Sequence, residues 1–155
     1  MAALGRSVAG IAIKDGKLFI ARRISGGDLG EKWEFPGGKV EEGEADEEAL
    51  IREYKEEFSA VIQTGPFLGS VFFEHRGVRR ILNAYQVYFS PAACKLAEHT
   101  QWSWAAPEEI EQMDFANSDL LLLPQIKARL DSLQRDHPQE PAPEGMDPGS
   151  NALRK

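Results

Sequence analysis

The sequence predicts an α/β (α+β) fold in which a mixed central β-sheet is sandwiched by helices. Short apolar runs bounded by turn residues occur in pairs, as in β-hairpins, without the regular β-α-β alternation of a parallel sheet. Residues 45–58 contain no Gly or Pro and are rich in Ala, Glu, Leu, Lys and Arg, which favours a helix of about three to four turns. Locally paired strands with a helix between the hairpins indicate a layered domain.

Turn residues divide the first part of the chain into a hairpin and a loop. Residues 7–13 are an apolar run, and the Asp-Gly pair within 14–17 supplies the positive φ of a tight turn. We therefore expect 18–23 to return as the partner of the first strand. Residues 24–32 are predicted to be a loop, and 33–35 a short strand that leads into a Pro-Gly-Gly turn.

A second hairpin is expected after the Gly-free helix. Residues 67–74 and 78–89 should pair around a turn at 75–77, and 101–105 should add one more strand.

Two further helices are expected near the end of the domain. Pro107 stands at the first turn of a short helix, where a residue without an N–H donor is tolerated. Asn117 or Ser118 is predicted to cap a last helix that ends near Leu133.

Length and composition fit a small enzyme. We expect one domain at 1–135 and a disordered tail at 136–155, where Pro, Glu, Gly, Ser and Asn dominate. The net charge of −7 makes duplex nucleic acid a poor partner. No apolar run approaches the ~20 residues of a membrane span. The lone Cys94 excludes an internal disulfide and fits a reducing compartment, so we expect a cytoplasmic protein that is a monomer or a weak homodimer.

The helix at 45–58 concentrates carboxylates on one face. Glu53, Glu56 and Glu57 stand at i, i+3 and i+4, so their side chains stack and repel one another. A hard divalent cation such as Mg²⁺ or Mn²⁺ would relieve this repulsion and leave positions open for substrate phosphates. Arg52 beside them could hold a carboxylate in a bidentate fork. The alternative is a solvated helix surface, on which Glu-rich sequences are common.

The segment before the helix argues against a plain surface. Trp33 to Phe35 runs into Pro36-Gly37-Gly38, the chemistry of a backbone that turns sharply and approaches something closely.

The spacing of these residues resembles the signature of the Nudix hydrolases. Gly38, Glu44, Arg52-Glu53 and Glu56-Glu57 match its anchors, G-x5-E-x7-R-E-x2-E-E. This resemblance implies an α/β/α sandwich and metal-dependent hydrolysis of a phosphoric anhydride.

Three positions depart from the signature. Tyr54 and Ala60 stand where aliphatic residues are usual, and Ser59 stands where Gly is usual. The hydroxyl of Tyr54 needs a partner. If the helix ends in a left-handed residue at Ser59, the strain costs about 1 kcal/mol; otherwise the terminus must adopt another geometry.

Within the family, the chain looks most like the MutT-like nucleoside triphosphate pyrophosphohydrolases. Residues 33–39 are similar to their WEFPGGK run, Glu98-His99 before Trp102 to their E-H-x-x-x-W segment, and 114–119 to their base-contacting element. The resemblance implies cleavage of a nucleoside triphosphate into monophosphate and pyrophosphate, in a nucleotide-pool cleansing role. An oxidised guanine as in 8-oxo-dGTP, a cytosine and an adenine derivative all remain open. Nucleoside diphosphate sugars, dinucleoside polyphosphates and non-catalytic binding are the alternatives.

Carried over residue by residue, the resemblance gives each candidate a role. The Gly38 carbonyl and the carboxylates of Glu53, Glu56, Glu57 and Glu98 are expected to ligate Mg²⁺ or Mn²⁺. Glu44 and Arg52 would orient this cluster, while Glu53 or Glu98 would act on the attacking water. Arg23 and Lys39 are expected to face the phosphates, and the candidates for base binding are Phe35, Asn83, Asn117 and Asp119. His75 and His99 lack metal-binding spacing and are expected to be structural or surface residues.

Overall fold

The computed structural model describes residues 4–136. Apart from residue 136, the predicted tail at 136–155 lies outside the described residues. Within them the chain forms eight strands, four α-helices and a short 3-10 helix at Pro91–Ala93. The strands and α-helices are numbered in chain order. They are β1 (Gly5–Ile11), β2 (Ile13–Lys14), β3 (Lys17–Arg23), β4 (Trp33–Glu34), β5 (Gly37–Lys39), α1 (Asp46–Phe58), β6 (Gln63–His75), β7 (Val78–Tyr88), β8 (His99–Ala105), α2 (Pro107–Ile110), α3 (Asn117–Leu120) and α4 (Leu123–Asp136).

The strands divide between two four-stranded sheets. One has the order β5-β1-β7-β6, and the other consists of β2-β3-β4 with β8 paired to β3. The first is mixed, because β1 runs parallel to β7 and antiparallel to β5. The predicted mixed α/β class is confirmed.

The predicted pairing of the first two strands is wrong in part. The apolar run at 7–13 is broken at Ala12, so that only β2 pairs with β3 across the Asp15-Gly16 turn. Asp15 has a φ of 52° and Gly16 a φ of 75°, as a tight hairpin turn requires. The main partner of β3 is β8, whereas β1 lies in the other sheet. Alternation alone cannot tell which neighbour a buried strand chooses.

Helices cover both faces of the strands. Alternate residues of each strand belong to different cores: Leu18 and Ile20 pack with residues of α2 and α4, whereas Phe19 and Ala21 pack with residues of α1. This arrangement is the sandwich that the resemblance implied. No helix within residues 4–136 is both long and apolar enough to cross a membrane.

Helix α1 is close to its predicted bounds. It begins at Asp46, and the side chain of Glu48 accepts a hydrogen bond from the Ala45 N–H at 2.9 Å. It ends at Ser59 in the left-handed conformation, with φ 54° and ψ 31°. Of the two geometries that the sequence left open for this terminus, the left-handed one is observed.

The expected capping of the last helix is wrong. The chain forms two helices there, α3 and α4, and the residue before α3 is Ala116, which makes no side-chain capping bond. Asn117 is itself the first helical residue. Helix α4 ends at Asp136, three residues beyond the predicted end at Leu133.

Tyr54 occupies the fully buried centre of the core under α1. Its hydroxyl donates a 3.1 Å hydrogen bond to the carbonyl oxygen of Gly10 in β1. A Cβ on Gly10 would lie 2.4 Å from that hydroxyl, so the absence of a side chain there makes room for the ring. The expected partner of the Tyr54 hydroxyl is therefore a backbone carbonyl.

Candidate active site

Arg52 organises the acidic face of α1. Its guanidinium donates to both carboxylate oxygens of Glu44, at 2.7 and 2.9 Å, in the predicted bidentate fork. The same group also donates to Glu53 at 2.9 Å and to the backbone carbonyl of Lys39 at 3.0 Å. The hydrogen bonds from Arg52 lower the pKa of Glu44 to about 2. Helix α1, the loop before it and β5 are thereby tied together by one planar cation.

Gly38 lies against the carboxylate of Glu53. A Cβ at this position would be 2.5 Å from the carboxyl carbon and one carboxyl oxygen of Glu53. This contact explains why the turn after β4 needs a residue without a side chain. Burial raises the pKa of Glu53, although Arg52 opposes the shift.

Glu53, Glu56 and Glu57 form the carboxylate cluster of α1, and Glu57 is the most deeply buried of the three. Only 2% of the residue is exposed, and its Oε2 has no hydrogen-bond partner among residues 4–136. Burial, reinforced by the charges of Glu34, Glu53 and Glu98, raises the pKa of Glu57 to about 10. A buried acceptor that lacks a partner is costly unless a cation or donor meets it. The buried carboxyl group of Glu57, with the charge of Glu53 near it, therefore has the donor chemistry that a hard divalent cation would meet.

Two residues that the sequence did not single out as site residues complete this region. Glu34 and His99 are buried, and His99 Nε2 lies 2.8 Å from Glu34 Oε2. Arg23 donates to the same oxygen at 3.2 Å. Ligand atoms of Glu34, Glu57 and His99 all lie within 4.8 Å of one another. Glu34 could have been found only from its place in the Trp-Glu-Phe-Pro run, and that run predicts a strand without indicating a function for the glutamate.

A pocket of about 590 Å³ opens beside the cluster. On the α1 side its wall includes Gly37, Gly38 and Lys39, and Arg23 and Glu34 also line it. Apolar side chains line much of the remaining wall: Val8, Ala9, Leu29, Phe35, Phe73, Leu82 and Leu121. Polar or charged side chains complete it: Ser7, Asp28, Lys32, Glu74, His75, Arg80, Asn117, Ser118 and Asp119. The wall therefore offers the cationic and apolar groups that a phosphorylated organic molecule requires, with the acidic Asp28 and Glu74 also on it.

Asp119 lies at the α3 side of the pocket. Its Oδ2 accepts a 2.8 Å hydrogen bond from the backbone N–H of Phe35, and the Ser118 hydroxyl lies 3.4 Å from Oδ1. Burial, together with the charge of Glu34, raises the pKa of Asp119 to about 8. At neutral pH the carboxyl group can therefore act as a donor as well as an acceptor.

Phe35 is a core residue that also lines the pocket. Only 2% of it is exposed, and its ring meets the ring of Phe115 edge to face, with centroids 5.0 Å apart. Because the ring is already covered by its neighbours, stacking of a base on Phe35 receives no support from this geometry.

Asn83 is placed away from the pocket. Its amide donates to Asp46, the first residue of α1, at 3.0 Å, and Tyr85 donates to the same carboxylate at 2.7 Å. Leu82, the neighbour of Asn83 on β7, lines the pocket, and successive strand residues point to opposite faces. The sequence pattern placed Asn83 in the right strand, but the geometry gives it no contact with a ligand in this pocket.

The remaining predicted residues are exposed. Lys39 is exposed and lines the pocket, and Asn117 is exposed beside Asp119. The Glu56 carboxylate is 59% exposed and 3.4 Å from Arg52. Glu98 is exposed just before β8, and its charge affects Glu53, Glu57 and Arg23.

Comparison with known proteins agrees with this arrangement. The family model of the NUDIX domain matches residues 3–133. The chain is 36% identical over 116 residues to the CTP pyrophosphohydrolase of Escherichia coli K12, covering 75% of this chain and 86% of that protein. It is 29% identical over 115 residues to a putative 8-oxo-dGTP diphosphatase 2 of Mycobacterium tuberculosis H37Rv, covering 72% of this chain and 80% of that protein.

A solved structure shares the overall arrangement of strands and helices. The solution structure of the E. coli ORF135 protein superposes with a TM-score of 0.72 at 33% identity, covering 88% of this chain and 95% of that one. The chain therefore belongs to the Nudix hydrolases, enzymes that act on acid anhydrides.

Proposed function

We propose that the protein is a divalent-cation-dependent pyrophosphohydrolase that converts a nucleoside triphosphate into a nucleoside monophosphate and pyrophosphate. The observation that carries this proposal is the buried, unpartnered oxygen of Glu57 beside a pocket with cationic side chains on its wall. Phosphates can meet the cations while an organic base occupies the apolar part. The similarity to a CTP pyrophosphohydrolase supports the same reaction.

The carboxylate cluster would hold Mg²⁺ or Mn²⁺ through Gly38, Glu53, Glu56 and Glu57, with Glu98 as a further candidate. When bound, such a cation neutralises charge on phosphoryl oxygens and lowers the pKa of a bound water. Arg52 keeps Glu44 and Glu53 in fixed positions, so the cluster is organised before substrate arrives.

The reaction requires one proton acceptor. The oxygen of a water molecule attacks a bridged phosphorus, the bond from that phosphorus to the pyrophosphate oxygen breaks, and the proton of the water passes to a carboxylate. Glu53 is held by Arg52 within the cluster, whereas Glu98 is exposed at its edge. Both remain candidates for this base, as the sequence indicated.

Charged groups near the cluster can receive the phosphates. Arg23 lines the pocket and is held by Glu34, and Lys39 follows the two glycines at the turn beside Glu53. Arg80, whose guanidinium donates to the carbonyl oxygen of Arg6, adds a third cation to the pocket wall.

The base is proposed to meet Asp119, and the two forms of this carboxyl group favour different bases. The ionised form accepts hydrogen bonds from an exocyclic amino group, as in cytosine or adenine. The neutral form can donate to an oxygen such as that of an oxidised guanine. We place CTP first because of the similarity to a CTP pyrophosphohydrolase, and 8-oxo-dGTP second because of the relatives that carry that name.

A pyrophosphate-release panel with Mg²⁺ or Mn²⁺ tests the proposal. It compares CTP, dCTP, 8-oxo-dGTP, dGTP and dATP with a nucleoside diphosphate sugar and a dinucleoside polyphosphate. We expect pyrophosphate and monophosphate from at least one triphosphate, and a change in its selectivity over the other triphosphates in Asp119→Asn. Faster hydrolysis of the sugar or dinucleoside substrates would replace the triphosphate assignment, and no hydrolysis of any compound would remove it.

We further propose that the protein helps to cleanse the nucleotide pool, resides in the cytoplasm and is a monomer or a weak homodimer. Size-exclusion chromatography with light scattering would check the oligomeric state directly.

A further inference from the structure

His99 owes its position to an irregularity in the pairing of β3 and β8. Arg22 is paired with Gln101, but Arg23 is paired with His99, so Thr100 is the extra residue of a β-bulge. In a regular ladder, His99 and Gln101 would lie on the same face of the strand, and Arg23 would face Thr100. The bulge instead sets His99 beside Arg23, and such bulges are known to re-aim side chains near functional sites.

The ring of His99 is held firmly on all sides. Its side chain has no exposed surface, and it stacks on Phe58, the last residue of α1, with centroids 4.9 Å apart and an interplanar angle of 16°. Its Nε2 meets Glu34 Oε2 at 2.8 Å. An ionised carboxylate accepts and does not donate, so this contact requires the tautomer with the proton on Nε2, and Nδ1 has no partner within the described part of the chain.

Glu34 Oε2 meets two donors that differ in solvent exposure. His99 reaches it from the core, and Arg23, whose side chain is 31% exposed, reaches it from the pocket at 3.2 Å. Arginine has several rotatable bonds, so immobilising it when a ligand binds costs conformational entropy. An acceptor that already holds the side chain in place reduces the entropy lost at binding. Glu34 can serve as a fixed acceptor only if something else holds its carboxylate.

We propose that His99 is a positioning residue that acts through Glu34 to hold Arg23 ready for the phosphates of the substrate. This inference rests on the proposed function, because it gives Arg23 the phosphates as its ligand. His99 touches neither the phosphates nor the reacting atoms. Its effect is to keep Glu34 directed at Arg23.

A double-mutant cycle tests the connection through binding, without the need for turnover. The dissociation constant of inorganic triphosphate in the presence of Mg²⁺ is measured by calorimetry for wild type, His99→Phe, Arg23→Ala and the double variant. Phenylalanine keeps a ring on Phe58 but cannot donate to Glu34. We expect each single variant to weaken binding by about 5- to 20-fold, since a hydrogen bond to a charged group is lost or misdirected.

The double variant separates positioning from a structural role. If His99 acts through Arg23, the double variant binds triphosphate no more weakly than Arg23→Ala alone. Independent effects that multiply, wild-type affinity in His99→Phe, or no triphosphate binding by wild type would each overturn the proposal. Wild type that binds triphosphate but hydrolyses no nucleotide would instead contradict the proposed function and leave this inference standing.

Two further measurements guard against a variant that does not fold. His99→Gln retains an N–H donor, and we expect it to bind triphosphate more tightly than His99→Phe does. In wild type, nitrogen chemical shifts of the imidazole should report the Nε2–H tautomer. A neutral ring protonated at Nδ1 would contradict the hydrogen bond to Glu34 and overturn the proposal.

Discussion

The acidic face of α1 and the α3 side of the pocket are built in different ways. On α1, Arg52, Glu53, Glu56 and Glu57 come from two turns of one helix, so the helical repeat itself sets their spacing. At the α3 side, the wall combines Phe73 of β6, Leu82 of β7 and Asp119 of α3 with Phe35, each from a different part of the chain. The carboxylates therefore depend on one local element, whereas the wall around Asp119 depends on how several elements pack.

The two regions also differ in electrostatics. On α1, several carboxylates lie close together, and Arg52 offsets part of their mutual repulsion. On the α3 side, the carboxyl group of Asp119 is buried, and burial raises its pKa. Substitutions on the α1 side should thus reduce catalysis, and those on the α3 side should change selectivity and pH dependence.

The largest expected effect is that of Glu57→Gln. This change removes the proposed cation ligand with a buried, unpartnered oxygen, so we expect about 3 to 4 kcal/mol of transition-state stabilisation to be lost and kcat to fall by roughly 10²- to 10³-fold. The free energy of unfolding without metal should change little near neutral pH, because a pKa of about 10 leaves the buried Glu57 carboxyl group uncharged and glutamine has nearly the same shape. Glu47→Gln, on the exposed first turn of α1, is the matched control and should retain activity. Normal turnover in Glu57→Gln would exclude this side of the pocket as the catalytic centre.

Arg52→Lys should have the next largest effect. Lysine keeps the charge but cannot form the fork that holds Glu44 and Glu53 together. Loss of an interaction that orients ligands typically costs about 10- to 100-fold in metal affinity or activity. Titration with Mn²⁺ and steady-state kinetics measure both quantities. Arg22→Lys, whose parent guanidinium donates to the Glu31 carbonyl outside the pocket, serves as control.

Asp119→Asn should change the pH dependence of stability. The unfolded chain releases this proton near the ordinary pKa of 3.8, whereas the folded protein retains it to about 8. Stability of wild type therefore falls as pH rises through that window. The amide of the variant does not titrate, so this loss is removed, while its oxygen can still accept from the Phe35 N–H.

Melting temperatures measured with chelator at pH 5 and pH 8.5 check the Asp119 prediction. The melting temperature of the Asp119→Asn variant relative to wild type should be higher at pH 8.5 than at pH 5. Exposed Asp114→Asn should show no comparable trend. A difference that is the same at both pH values would mean that Asp119 titrates normally.

Ser59→Gly should have the smallest effect. Glycine adopts the left-handed conformation without strain but loses more entropy on folding, so we expect a net gain of about 0.5 to 1 kcal/mol. Differential scanning calorimetry should show a melting temperature higher by about 2–4 °C for a chain of this size. Kinetic constants should not change, because Ser59 is exposed at the end of α1 and does not line the pocket. A lower melting temperature would show that the serine compensates its strain by other contacts.

The same contrast explains what the sequence could predict. The spacing of Glu53, Glu56 and Glu57 is a property of one helix, and the fork of Arg52 to Glu44 follows from adjacent segments, so both could be foreseen. The partners of β1 and β3 depend on which sheet each strand joins, which an apolar run does not encode. His99 and Glu34 are 65 residues apart and meet only when β3, β4 and β8 are assembled.

Asn83 is a residue for which the sequence predicted a site role that the geometry does not support. Its residue type suits base recognition, and its strand passes the pocket, but the pleat turns the side chain toward Asp46. Two neighbouring residues of β7 therefore differ in role: Leu82 lines the pocket, and Asn83 is hydrogen-bonded to Asp46 of α1.

The contact between Tyr54 and Gly10 constrains the order in which the chain can change. Any side chain at position 10 would collide with the tyrosine hydroxyl at 2.4 Å, so the ring must shrink before the glycine can be replaced. Conversely, a smaller residue at position 54 leaves a void unless position 10 then grows to fill it. The two positions are thus epistatic, and a core library that varied them one at a time would miss the combinations that restore packing.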